Sequence, residues 1–304
     1  MKSVFVKTII LAVVFSAASQ AQAKLRVVAS TTDLRSVIEI VGGDRVDVDS
    51  IAKGTQDQHT IEPKPSYMVK ASHADLFVAV GLELEIGWVP SVLQGARNPK
   101  IMHGEKGYLE VGPFIDRLEM PTGSVTRAEG DVHPFGNPHI MLDPVRVGII
   151  AEKIAEKLSE LDPPGHDAYT KRAQDWSAHL NARVKEWQKE IEASHVTKVV
   201  TYHRTLDYFL DRFHIALVEE LEPKPGIPPT VQHMVTVVDK IRSEHVPLVM
   251  IENYYDPSVS RKLTEEVKDL KIEVVPVSVE GAPGITNLEK LYEALVNAVV
   301  KAKK

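Results

Sequence analysis

Three histidines stand at junctions where the chain could do metal chemistry. They are His59 in Asp57-Gln58-His59-Thr60-Ile61-Glu62-Pro63, His139 in Asn137-Pro138-His139-Ile140-Met141-Leu142-Asp143-Pro144, and His203 in Thr201-Tyr202-His203-Arg204. Neutral imidazoles converging from distant segments make a site for a first-row metal ion, and no cysteine is present to do that work instead. A lone histidine capping its own helix would carry no such meaning. These are set apart by neighbours that fix the backbone: Pro63 and Pro65 stiffen the loop after His59, while Pro138 and the pair Asp143-Pro144 hold His139 between a turn and a helix start. Glu62 or Asp143 is placed to accept a hydrogen bond from the outer nitrogen of a ligating ring.

Residues this far apart in sequence need a scaffold that gathers them. Leu25 to Ser30, Arg45 to Ile51 and Ala74 to Val80 read as strands, with a helical pattern over Asp33 to Val41 closed by Gly42-Gly43. A second alternation runs through strands at Lys198 to Tyr202, Pro247 to Ile251 and Ile272 to Val277, with helices at Thr205 to Phe213, Ser258 to Leu270 and Asn287 to Lys301. Strands separated by helices of this size imply βαβ units and parallel sheets. The predicted class is therefore α/β, with two (β/α) lobes. Parallel sheets bind ligands at the carboxyl ends of their strands, and His203 directly follows one such end.

Between the alternating regions lie two helical patterns with no strand between them. Asp143-Pro144 is a start signal, and Val147, Ile150, Ile154, Leu158 and Leu161 follow at spacings of three and four. Asp162-Pro163-Pro164 repeats the signal, and Tyr169, Ala173, Trp176, Leu180, Val184, Trp187 and Ile191 continue the period. That makes on the order of 40 Å of helix. Ordered e/g charge pairing is missing, so a helix bridging two lobes fits better than a coiled coil. The expected division is residues 1–23 as leader, 24–162 as the N-terminal lobe, 163–194 as the linking helix and 195–304 as the C-terminal lobe. Residues 120–138, rich in Gly, Pro and Asn, read as a flexible flap whose His133 is a candidate additional ligand.

The start of the chain carries Lys2 and Lys7, an apolar run from Thr8 to Ala18, and Ala21-Gln22-Ala23. This pattern is a secretory signal peptide cleaved after Ala23, its apolar run being too short to span a bilayer. The expected location is the periplasm, and a chain without cysteine offers no site for a lipid anchor. Loss of the leader takes the formal net charge from −6 to −8, which argues against a nucleic-acid partner and suits one that meets cations.

Taken in order, four segments resemble the metal-binding cluster of periplasmic solute-binding proteins that serve zinc and manganese ABC transporters: Asp57-x-His59-x-x-Glu62-Pro63-x-Pro65, Pro138-His139-x-x-Leu142-Asp143-Pro144, His203-x-x-x-x-Tyr208-Phe209 and Glu222-Pro223-Lys224-Pro225-Gly226. The resemblance covers essentially the whole mature chain. It implies two (β/α) lobes joined by one rigid helix, with a single metal in the cleft, His59 and His139 as ligands from the first lobe and His203 from the second. Manganese-binding members of that cluster tend to carry a carboxylate at the His203 position, so a third imidazole favours Zn²⁺ as the transported ligand. Where many members place a further aspartate, this chain has Ser278, leaving Glu252, Glu280, a water or His133 as candidates for the fourth position, Glu252 first among them.

The implied function is capture of Zn²⁺ and its delivery to an ABC permease with a separate ATPase, by a monomer that a periplasmic metallochaperone could load. No G-x-x-x-x-G-K-[ST] loop is present, so the chain does not drive transport itself. Three alternatives remain at this stage. A manganese-specific binding protein would use the same fold. A secreted zinc hydrolase could activate water on three histidines, although the chain lacks H-E-x-x-H and an acid placed as general base. An adhesin with an incidental metal would need a partner patch that the sequence does not display.

Overall fold

The computed structural model describes residues 23–123, 130 and 132–302. The expected leader, apart from Ala23, and residues 124–129 and 131 of the expected flap lie outside the described residues.

Two parallel four-stranded sheets form the molecule. The first contains β1 (Leu25–Ala29), β2 (Val46–Ser50), β3 (Leu76–Ala79) and β4 (Tyr108–Glu110) in the order β2-β1-β3-β4. The second contains β5 (Lys198–Thr201), β6 (Ala216–Glu220), β7 (Leu248–Glu252) and β8 (Lys271–Val275) in the order β6-β5-β7-β8. The two orders are the same, although the sequence shows no usable internal repeat. In each sheet the connections leave in opposite directions from the central pair, which creates a crevice at the carboxyl ends.

Around the first sheet lie α1 (Thr32–Gly42), α2 (Pro65–Ser72) and α3 (Val89–Ala96), followed by α4 (Pro144–Leu161) and α5 (His166–Ser194). The second sheet carries α6 (Asp207–Arg212), α7 (Val231–Glu244), α8 (Ser258–Glu266) and α9 (Leu288–Lys301). The long helix α5 runs for 29 residues and buries Tyr169, Ala173, Leu180, Trp187 and Ile191, the face its period predicted. That face joins α1, α4, α9 and strands of both sheets in one continuous apolar core. Each large side chain fully buried there contributes roughly 1.5–3 kcal/mol, so the helical layer holds the two sheets to a common base. Separate clusters under α2 and α3 and under α7 and α8 cover the outer faces. Strands covered on both sides carry apolar side chains on both, as Leu76–Ala79 and Leu248–Glu252 do until the final acid.

Several boundaries differ from the sequence reading. The prolines at 163 and 164 form a 3₁₀ turn, and the α-helix begins at His166, while the Asp162 carboxylate receives both nitrogens of the Arg45 fork at 2.7 and 2.9 Å. The helix read to Leu270 stops at Glu266, since Val267 turns extended and Asp269 adopts a φ of +66° before β8. The stretch after His203 opens with a 3₁₀ turn, Arg204–Leu206, before α6. The helix read after the His59 loop is α2, with His73 at its carboxyl end, whereas edge strands β4 and β6 and helices α3 and α7 were not read from the sequence.

Candidate metal centre

Each of the three histidines is held by its own local device. His59 lies between β2 and α2, where Asp57 Oδ1 accepts a hydrogen bond from the His59 backbone N–H at 2.9 Å and sits 2.8 Å from ring Nδ1. The preceding carbonyl of Gln58 accepts from Trp88 Nε1 at 2.9 Å, and Trp88 is fully buried, so the loop is nailed to the first lobe. His139 enters after β4, its N–H donating to Asn137 Oδ1 at 2.9 Å. The Asn137 carbonyl accepts from Tyr208 Oη at 2.7 Å, which ties this segment to α6 of the second lobe. His203 follows β5, and its Nδ1 is 2.7 Å from Oε2 of Glu222, an oxygen that also accepts from Gly226 N at 2.8 Å.

These devices bring the rings together. One ring nitrogen of each of His59, His139 and His203 lies within 4.8 Å of the others, and the ring centroids are 5.1 to 5.7 Å apart. Asp57 and Glu222 occupy the Nδ1 side of two rings, which leaves Nε2 to face the shared centre. The buried Nε2 of His139 has no hydrogen-bond partner among the described residues. Such an orphan costs about 1–3 kcal/mol unless something accepts its lone pair, and a divalent cation does so. The donor set therefore fits a borderline metal ion.

The electrostatics follow from burial and neighbours. Burial, then the charges of His59, His203 and His133, hold His139 well below the ordinary histidine value, so its ring is neutral and ready to ligate. Burial also pulls on His203, but the hydrogen bond and charge of Glu222, with Glu252 and Asp57, outweigh it and raise that ring's pKa. Asp57 is buried too, yet its hydrogen bonds with His59 keep it below the usual carboxylate range.

The other candidates are placed as follows. Glu252 ends β7 beside the strand that delivers His203; it is fully buried, and burial pushes its pKa up to about 7 against the opposing charge of His203 and a hydrogen bond from Thr205. It does not join the three histidines at mutual ligand distance. Ser278 is buried, its hydroxyl accepting from Gln58 Nε2 at 2.8 Å. Glu280 pairs with Arg35 at 2.6 Å, and His133 places Nε2 3.2 Å from Nε2 of His59.

The expected outer partners were Glu62 and Asp143, and neither is one. Glu62 is exposed, and Asp143 is a buried helix cap that accepts from Val145 N and pairs with Arg146 and Arg212. The true partners, Asp57 and Glu222, stood in the quoted motifs, and the spacing Asp57-x-His59, which permits a turn closed on the side chain, was the available signal for the first. Of the remaining histidines, His195, His214 and His245 take φ values of +60°, +55° and +55° at ends of elements, a conformational role away from the centre.

Twin parallel sheets whose strand ends meet over three convergent imidazoles define a two-lobed binding protein for a divalent metal. Residues 27–302 match the family described as zinc-uptake complex component A, periplasmic, and the chain belongs to that family of metal ABC transporter substrate-binding proteins. It is 26% identical over 298 residues to the metal ABC transporter substrate-binding lipoprotein ScbA of Streptococcus cristatus, covering 92% of each chain. It is 25% identical over 287 residues to the manganese ABC transporter substrate-binding lipoprotein PsaA of Streptococcus anginosus, covering 90% of this chain and 89% of that one. Among solved structures, ZnuA superposes with a TM-score of 0.74 at 24% identity, covering 90% of this chain and 99% of its own. The laminin-binding adhesin Lmb of Streptococcus agalactiae gives 0.75 at 21% identity, covering 92% and 100%.

Members of this family are extracytoplasmic carriers that present metal to a membrane permease and its ATPase; they are not enzymes, which removes the hydrolase reading. Among the described residues no helix is long and apolar enough to cross a membrane.

Proposed function

We propose that this chain captures Zn²⁺ in the inter-lobe cleft and delivers it to its permease, with His59, His139 and His203 as ligands. The single observation that carries the zinc reading is the third imidazole: a buried His203, oriented by Glu222, supplies nitrogen from the second lobe. Nitrogen donors suit zinc, whereas manganese is better matched by carboxylate oxygen. The neutral His139, its Nε2 without a hydrogen-bond partner among the described residues, supports the same choice. In this reading the chain divides into residues 24–162, 163–194 and 195–304, loses its leader after Ala23, and works in the periplasm as a monomer, with a periplasmic metallochaperone as candidate loading partner. Glu252, buried at the end of the strand next to the one that precedes His203, is a carboxylate reserve beside the site.

The test is uptake of radiolabelled zinc by cells lacking the chain. Restoration by the wild type and not by a triple alanine variant of His59, His139 and His203 is expected. Restoration of manganese uptake with zinc uptake unchanged would overturn the zinc assignment.

A further inference from the structure

A tetrahedral zinc ion needs one donor beyond the three imidazoles. The acids expected near the cleft are engaged or withdrawn. Position 278 holds a serine occupied by Gln58 and Glu280 is drawn onto Arg35; neither Glu252 nor His133 belongs to the mutually close group of three, but only His133 has a nitrogen recorded at hydrogen-bond distance from one of its rings. The remaining group is His133. Its Nε2 lies 3.2 Å from Nε2 of His59, and the ring centroids are 5.3 Å apart. Two nitrogens bound to one tetrahedral zinc at about 2.0–2.1 Å stand roughly 3.3–3.4 Å apart, so this pair already has the separation of two corners of such a site.

The turn that follows His133 is held by two hydrogen bonds. Gly136 N donates to the His133 carbonyl at 3.2 Å, with Gly136 at a φ of +91° that only glycine adopts without strain. Arg117 Nη1 donates to the Phe135 carbonyl at 3.3 Å. A cavity of about 20 Å³, room for one water-sized occupant, is lined by His133, His139 and His203 together.

We propose that His133 is the fourth ligand, so that the captured ion is held by four imidazoles, two of the rings being fixed from outside by Asp57 and Glu222. This rests on the metal-capture reading above and sharpens it, because an all-nitrogen set with no carboxylate in contact with the ion disfavours manganese and other oxygen-seeking cations. His133 is thereby a specificity-determining residue.

Zinc-edge X-ray absorption of the purified mature protein, wild type and His133→Ala, counts the imidazoles directly. The expected result is four in the wild type and three plus an oxygen in the variant, with zinc affinity reduced by at least the roughly ten- to hundredfold that loss of an outer partner costs. Added free imidazole should restore the fourth nitrogen in the variant. Identical spectra for both proteins, with three nitrogens and one oxygen, would overturn the proposal while leaving zinc capture intact. Failure of the wild type to bind zinc at all would overturn the proposal together with the capture reading.

Discussion

Nδ1 of His203 stands 2.7 Å from Oε2 of Glu222, with both side chains buried. This contact fixes the ring plane, assigns the proton to the outer nitrogen and leaves Nε2 free for a metal. Glu222→Ala is accordingly expected to lower zinc affinity by roughly 10- to 100-fold, since an unsupported ring samples other orientations. A chelator competition titration reads this, and an unchanged affinity would make the contact merely structural.

The same pair sets the pH dependence of capture. The raised pKa of His203 means that the metal-free protein carries a proton on this ring in the mildly acidic range, which a metal bound through this ring, as proposed, would have to displace. Affinity should rise with pH through that titration and fall below it, while the depressed His139 adds no proton to displace until far lower pH. Titrations between about pH 7.5 and about pH 5.5 should show a steady loss of affinity toward acid. A flat profile would argue against His203 as a ligand.

The lobes meet closely at Gly54, where an added Cβ would lie 2.0 Å from the carbonyl oxygen of Val279. The same loop donates Val279 N to Asp33 at 2.7 Å, and its carbonyl accepts from Thr32 Oγ1 at 2.7 Å. Gly54→Ala should push the second lobe away and cost about 1–3 kcal/mol, as overpacking does. Denaturant unfolding of the metal-free protein measures the cost; a variant as stable as the wild type would show that this contact yields freely.

Asp33 lies at that seam, with its pKa raised to about 6 by burial against the opposing hydrogen bonds of Val279, Ser278 and Gln58. A carboxyl that is harder to ionise folded than unfolded binds more protons in the native state between its ordinary value and about 6, so stability falls as pH rises across that window. The loss is on the order of 3 kcal/mol from a shift of roughly two units. Asp33→Asn should flatten the stability profile between about pH 4 and about pH 6. Persistence of the full slope would place its origin elsewhere.

Ser278 offers a route to altered selectivity. Ser278→Asp would place a carboxylate where the hydroxyl now meets Gln58 Nε2 at 2.8 Å. Oxygen added to the sphere should raise manganese affinity relative to zinc, which competition between the two ions would reveal. An unchanged ratio would show that position 278 does not reach the metal.

Much of this was legible in the chain. The three histidines were recognisable because prolines and caps restrict the backbone beside them, and these restrictions act locally. The α5 face was legible because a three-and-four period over 29 residues averages out single exceptions. Edge strand β4 is only Tyr108–Glu110, too short for a period to register, and β6 alternates weakly as Ala216–Glu220. Glu222 as partner of His203 depends on a pairing across 19 residues, which the parallel register of β5 and β6 creates and no local pattern announces. His133 was legible as a candidate, but its closeness to His59, 74 residues away, is set by the fold alone.

The most direct test is a competition titration of the metal-stripped mature protein with Zn²⁺ and, separately, Mn²⁺ against a chromophoric chelator. One tight equivalent of zinc with much weaker manganese binding is the predicted result. Tighter binding of manganese would contradict an imidazole-dominated site and place a carboxylate, Glu252 foremost, in the coordination sphere.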